Sequence, residues 1–167
     1  MNAPQADLAA FQQALSQARS PDAAFDALRA LTQATIGAKL FTVMTLDMEA
    51  RLARRAYSSD PQHYPATGTK PIEPNGWFDI VHGAQRCFVA NAIEEIAEVF
   101  PDHALIASLG CASVVNLPVV LGGEVVATIN ILHEAGYFTG SRVAAVVGKL
   151  SLPALAAVAV ARAVRAV

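Results

Sequence analysis

Two cysteines, Cys87 and Cys111, and four histidines, His63, His82, His103 and His133, are the residues suited to metal or nucleophilic chemistry. Their spacing argues for neither. The histidines are scattered, with no pair at helical ligand spacing, and the cysteines stand far apart in the chain. Gly122-Gly123 has the form of a hairpin turn and fits no phosphate-loop pattern. The remaining chemistry is binding. Asn116, Thr128 and Asn130 interrupt two runs otherwise rich in valine and isoleucine, Ser113–Leu121 and Glu124–His133. A polar side chain on a buried strand must find a hydrogen-bond partner in protein, water or a ligand. Three arginines, Arg51, Arg54 and Arg55, fall in another strand-like run. They read as the charges that protect a solvated edge strand, with an anion contact as the sharper alternative.

These residues need elements to position them. The two valine-rich runs flank Gly122-Gly123, a strong hairpin signal, and are too apolar for an exposed edge. They therefore predict the centre of a buried antiparallel sheet. Upstream, Leu8, Phe11, Leu15 and Ala18 recur at helical spacing and predict a helix over Asp7–Arg19. Ser20-Pro21-Asp22 starts a second helix, with Phe25, Leu28, Leu31 and Ile36 as its buried stripe and Gly37 as its stop. Leu40–Leu46 and Glu49–Tyr57 read as two strands, and Arg86–Asn91 as a third. Glu94–Phe100 and His103–Leu109 read as short helices. An apolar helix is expected from Ser141 to about Ala166. It is nearly long enough to span a membrane, but Lys149 and Pro153 argue against that, so no membrane partner is expected.

Ser58–Gly76 is a long connection holding Pro61, Pro65, Pro71 and Pro74. Loops of this length in a compact domain are usually lids, binding loops or disordered segments. It leads into Trp77-Phe78 and a short helix ending at Gly83. Trp77, the only tryptophan, either pins that loop to the core or walls a pocket.

Composition sets the remaining bounds. A chain of 167 residues fits one domain. Charged residues make up 16%, below the usual quarter, and 54% are hydrophobic, so burial in a homo-oligomer is the expected remedy. A net charge of -2 argues against a nucleic-acid partner. Met1–Asp7 lacks the pattern of a signal peptide, and two unpaired cysteines suit a reducing cytoplasm.

Ser113, Pro118-Val119, Gly122-Gly123, Val125, Ala127, Asn130 and Phe138-Thr139 together resemble the signature of GAF domains. The resemblance extends over about Ser20 to Ala166. It implies an α+β fold: a central antiparallel sheet, terminal helices on one face and a loop-roofed pocket on the other. Residues 1–19 would form a dimerisation helix and 20–167 a single GAF-like unit, homodimeric through both terminal helices. The implied role is sensory binding of a small molecule, with no cofactor, no metal and no catalytic residue.

Alternation in the second hairpin strand puts Val126, Thr128, Asn130 and Leu132 on one face and Ala127 on the other. The pocket implied by the resemblance then takes Thr128 and Asn130, and Trp77, Phe78 and Cys111 join them as candidate ligand contacts. Substituting Asn130 by alanine would then weaken binding and leave the fold intact. Asn116 depends on register. A strict two-residue turn places it opposite Ile129, away from Asn130, whereas a bulge at Pro118 reverses that.

The alternative implied by the resemblance is a thiol-dependent enzyme like the free methionine sulfoxide reductases. Those enzymes carry carboxylates where this chain has Val114, Asn130 and Leu132, and their cysteine falls near Ala107. Cys111 also lacks the neighbouring histidine of bilin-binding relatives, so a buried apolar role is expected for it.

Overall fold

The computed structural model describes residues 3–66 and 68–165. Ala166, at the expected end of the last helix, lies outside them. A six-stranded antiparallel sheet runs through the molecule in the order β3-β2-β1-β6-β5-β4. The strands are β1 (Leu40–Asp47), β2 (Leu52–Ser58), β3 (Thr69–Pro71), β4 (Phe88–Ala90), β5 (Ser113–Leu121) and β6 (Glu124–His133). The most apolar strands, β1, β6 and β5, occupy the middle, where both faces are covered. Gly122 and Gly123 turn the central hairpin with φ of +62° and +86°, the twin left-handed geometry that a two-residue turn demands.

One face carries helices α1 (Ala3–Ser16), α2 (Pro21–Thr35) and the C-terminal helix α6 (Gly140–Arg165). Ser20 caps α2, its hydroxyl accepting from the Ala23 N–H at 3.2 Å, and Pro21 takes the first helical position. Phe25, Leu28 and Leu31 meet a stripe of α6 made by Val146, Leu150, Ala154, Ala157 and Val158. The alanines let the two helices approach closely. Phe41, Val43, Val115, Ile129 and Ile131 complete this core from the sheet. Phe138 is buried in the same core, and Thr139 caps α6 by accepting from Arg142 N–H at 3.4 Å. α6 is long and apolar enough to cross a membrane by length and composition, as core helices often are. Its buried stripe packs on α2 and β5.

The other face carries the short elements: α3 (Gly76–Phe78) running into a π-helical turn at Asp79–Gly83, α4 (Ile93–Ala97) and α5 (His103–Ser108). Tyr64, Ile96, Ile106 and Cys111 form a second, smaller cluster there with Leu40, Val114 and Leu132.

Three expectations need correction. The long connection contains β3, which pairs with Leu52–Arg54 and covers the side of β2. β2 is therefore an inner strand, and its arginines do not guard an edge. Arg51 stands in the turn before β2, at a φ of +52°, outside the strand alternation. Finally, β5 and β6 do change register, but the extra residue is Val126 on β6, between the Val120–Val125 and Val119–Ala127 pairs, and not Pro118. The bulge turns Val126 to the helical core beside Ala127, contrary to strict alternation.

Candidate functional site

The sheet face opposite the helical core lines a cavity of about 290 Å³. Alternation supplies its floor: Thr42 and Met44 from β1, Val114 and Asn116 from β5, Thr128 and Asn130 from β6. The bulge at Val126 decides this composition. It restores parity between the central strands, so Asn116 stands directly opposite Asn130.

A hydrogen-bond chain crosses that floor. The Trp77 indole Nε1–H donates to Asn116 Oδ1 at 2.9 Å. Asn116 Nδ2 donates to Asn130 Oδ1 at 2.7 Å, and Asn130 Nδ2 donates to Thr42 Oγ1 at 3.1 Å. An indole nitrogen donates only, so Asn116 must present its oxygen to Trp77, and each later amide is oriented in turn. Asn116, Asn130 and Thr42 are all buried. Trp77 also lies edge-on to Phe100, with ring centroids 6.5 Å apart. The indole therefore latches the roof to the floor and lines the cavity, combining the two roles its position suggests.

The far end of the cavity is closed by residues that carry no local sequence signal. Arg55 leaves β2 toward this face and stacks over the Tyr64 ring, 3.7 Å from its centroid. Its Nη2 donates to Asp102 Oδ2 at 3.1 Å and its Nη1 to the Pro65 carbonyl at 3.0 Å. Tyr64 Oη donates to the same Asp102 oxygen at 2.5 Å. Burial first, then the Asp102 carboxylate, push the Tyr64 hydroxyl well above its ordinary pKa, so it stays a donor. The cluster joins β2, the long connection and the start of α5, three segments that only folding brings together. Alternation along β2 separates Arg55 from Arg54, and Arg55 lines the cavity.

The expected site residues divide. Trp77, Asn116, Thr128 and Asn130 line the cavity together. Phe78 and Cys111 are not among its lining residues. Phe78 stacks on His82, with centroids 4.6 Å apart. Cys111 packs in the smaller core cluster, where burial raises its pKa against a weaker opposing effect from Lys39. Burial likewise pushes Cys87 up to about 11. Cys87 should therefore react with iodoacetamide at neutral pH at least roughly tenfold more slowly than an ordinary thiol, because its smaller thiolate fraction is only partly offset by a more nucleophilic thiolate. Mass spectrometry of a timed alkylation checks this, and modification at the rate of free cysteine would refute it. Among the described residues, no three His, Cys, Asp or Glu side chains come together to hold a metal.

Comparison with known proteins places this geometry. The sequence model of a family described as GAF domain matches residues 18–148. The GAF domain of a phosphoenolpyruvate-protein phosphotransferase from Acinetobacter is 14% identical, with a TM-score of 0.72 over 100% of this chain and 99% of that one. The corresponding domain from Coxiella burnetii is 15% identical, with a TM-score of 0.70 over 99% and 98%. A free methionine-R-sulfoxide reductase from Neisseria meningitidis is 14% identical, with a TM-score of 0.64 over 100% and 95%. At such identities the likeness is one of fold. No curated protein matches the sequence significantly.

Proposed function

The chain belongs to the GAF domain family, and from that premise we propose that it is a sensory domain that binds a small molecule in the cavity beneath Trp77. One observation carries this reading: a defined cavity whose roof is tied to the middle of its floor by a side-chain hydrogen bond, Trp77 to Asn116. A ligand that enters must meet that latch, so occupancy and roof position are coupled. The sensory assignment follows the usual role of the family.

The same proposal makes the active species a cytoplasmic homodimer. Leu8 on α1 and Val147 and Leu152 on α6 are exposed, the last at 74%, on the outer side of the helical layer. With charged residues at only 16%, that surface suits a second copy of the chain. The thiol-dependent alternative gains no support from the geometry, since neither cysteine lines the cavity and burial keeps both protonated.

The test is a thermal-shift screen against a metabolite library, with Trp77 fluorescence as the second readout. A ligand of the cavity should raise the melting temperature and change the emission of the only indole. A library that moves neither, or a hit whose binding leaves Trp77 emission unchanged, would refute the assignment to this cavity.

A further inference from the structure

We propose that the cavity takes a neutral, mainly apolar molecule carrying one hydroxyl or carbonyl group, held by the hydroxyl of Thr128. The proposal rests on the small-molecule reading above and adds the chemical class of the ligand. Its starting point is Thr128 itself. The residue is fully buried on β6, lines the cavity, and has Met44 and Pro118 as its cross-strand neighbours. Among the described residues, its Oγ1 is the one buried side-chain nitrogen or oxygen without a hydrogen-bond partner. Folded proteins pair nearly all such groups, because a buried unpaired hydroxyl gives up its bonds to water for nothing. A ligand group that displaces the side chains shielding this point supplies the missing bond.

The other polar groups of the wall are engaged. Trp77, Asn116, Asn130 and Thr42 bond to one another in series. Arg55 and Asp102 neutralise each other, and Tyr64 adds its hydroxyl to the same carboxylate. The remaining charges of the lining, Lys70 and Glu73, are exposed and opposite in sign. A ligand charge carried inside would lose its water, and the charges free to answer it, Lys70 and Glu73, are exposed and screened by solvent. Apolar side chains such as Ile96, Ile106, Val114 and Leu132 make up the rest of the wall. A threonine hydroxyl both donates and accepts, so it serves a hydroxyl or a carbonyl equally. The volume, about 290 Å³, stands at the lower end of ligand pockets, which span about 300–1,000 Å³. It suits one ring with a short chain.

Four probes of one shape separate these features: n-propylbenzene, 3-phenylpropan-1-ol, 3-phenylpropanoate and 3-phenylpropylammonium. Binding is followed by the NMR resonance of the single indole N–H and by calorimetry. The alcohol should bind at least about tenfold more tightly than either ion. Thr128→Val keeps the shape of the side chain and removes the hydroxyl. It should lower the ratio of alcohol to hydrocarbon affinity about tenfold, the usual scale of one hydrogen bond. The unliganded variant should melt about 2–4 °C higher, because an unpaired buried hydroxyl is gone. Thr128→Ser should keep the wild-type ratio. An unchanged ratio in Thr128→Val would mean that water alone serves the hydroxyl, and the proposal falls. It falls equally if an ion binds most tightly, or if none of the four binds at millimolar concentration. In those cases the sensory reading stands or falls separately, on the library screen.

Discussion

Asn130→Ala should lower the melting temperature by about 5–10 °C. The residue is the middle of the chain that runs from Trp77 to Thr42, and both ends of its amide are engaged. Removing it strands Asn116 Nδ2 and takes the donor away from Thr42 Oγ1. Those two residues are 2% and 3% exposed, too little for water to replace the lost partner. Each stranded group costs about 1–3 kcal/mol, and relaxation around the smaller side chain recovers part of that, leaving a net loss of about 2–4 kcal/mol. The sequence alone suggests the opposite outcome, a free pocket amide whose loss spares the fold. The structure replaces that expectation because Asn130 is already bonded within the protein. Scanning calorimetry of the variant decides between them. A melting temperature within a degree of wild type would show that the amide chain contributes nothing to stability. The indole N–H resonance of Trp77 should move in the same variant, since the orientation of Asn116 depends on Asn130.

Val147→Glu combined with Leu152→Glu should weaken self-association about 100-fold or more while leaving the fold intact. Both side chains are exposed, at 46% and 74%, so the change removes no core contact. In a dimer built on the exposed side of α6, the introduced carboxylates would carry charge into the seam from both protomers, with only Lys149 of α6 within a turn to offset it. Sedimentation velocity over a range of concentrations measures the shift, and circular dichroism confirms that helicity is kept. A wild type that remains monomeric, or a variant that associates as well as wild type, removes this face from the proposed interface.

Much of the fold was legible because its signals are local. The two valine-rich runs and the glycine pair define β5 and β6 to the residue. Ser20 and Pro21 mark the start of α2 by capping chemistry that acts over three residues. What stayed hidden depends on distance or on counting. β3 is three exposed residues in a proline-rich segment, and only its pairing with β2 makes it a strand. Arg55, Tyr64 and Asp102 meet through folding alone, with no spacing rule to announce them. Cys111 looked like a site residue because it opens the central hairpin. It lies two residues before β5 and packs with Ile96, Ile106 and Val114 in the smaller cluster, outside the cavity lining. Of the three polar strand residues expected at the pocket, Thr128 and Asn130 followed from alternation, and Asn116 needed the bulge.

That bulge makes β6 sensitive to register in a way that it is not to identity. Val126 is half-buried, and its deletion would close the bulge and leave Val119 opposite Ala127 and Asn116 opposite Asn130. Drawing Val126 into regular pairing is a different kind of change. The Gly-Gly turn and unbroken pairing would then set Asn116 against Ile129, and the strand beyond would present its other side. Ile129 and Ile131 would line the cavity, and Asn130 would be driven among the side chains of α2 and α6. A slip of one residue would therefore act as an inversion of the site, though no binding residue had been altered. The same parity governs how chains of this family are aligned. Against a chain without the bulge, an alignment that omits the gap at Val126 carries every cavity residue of β6 to the opposite face, and two domains with the same pocket would be read as having nothing in common.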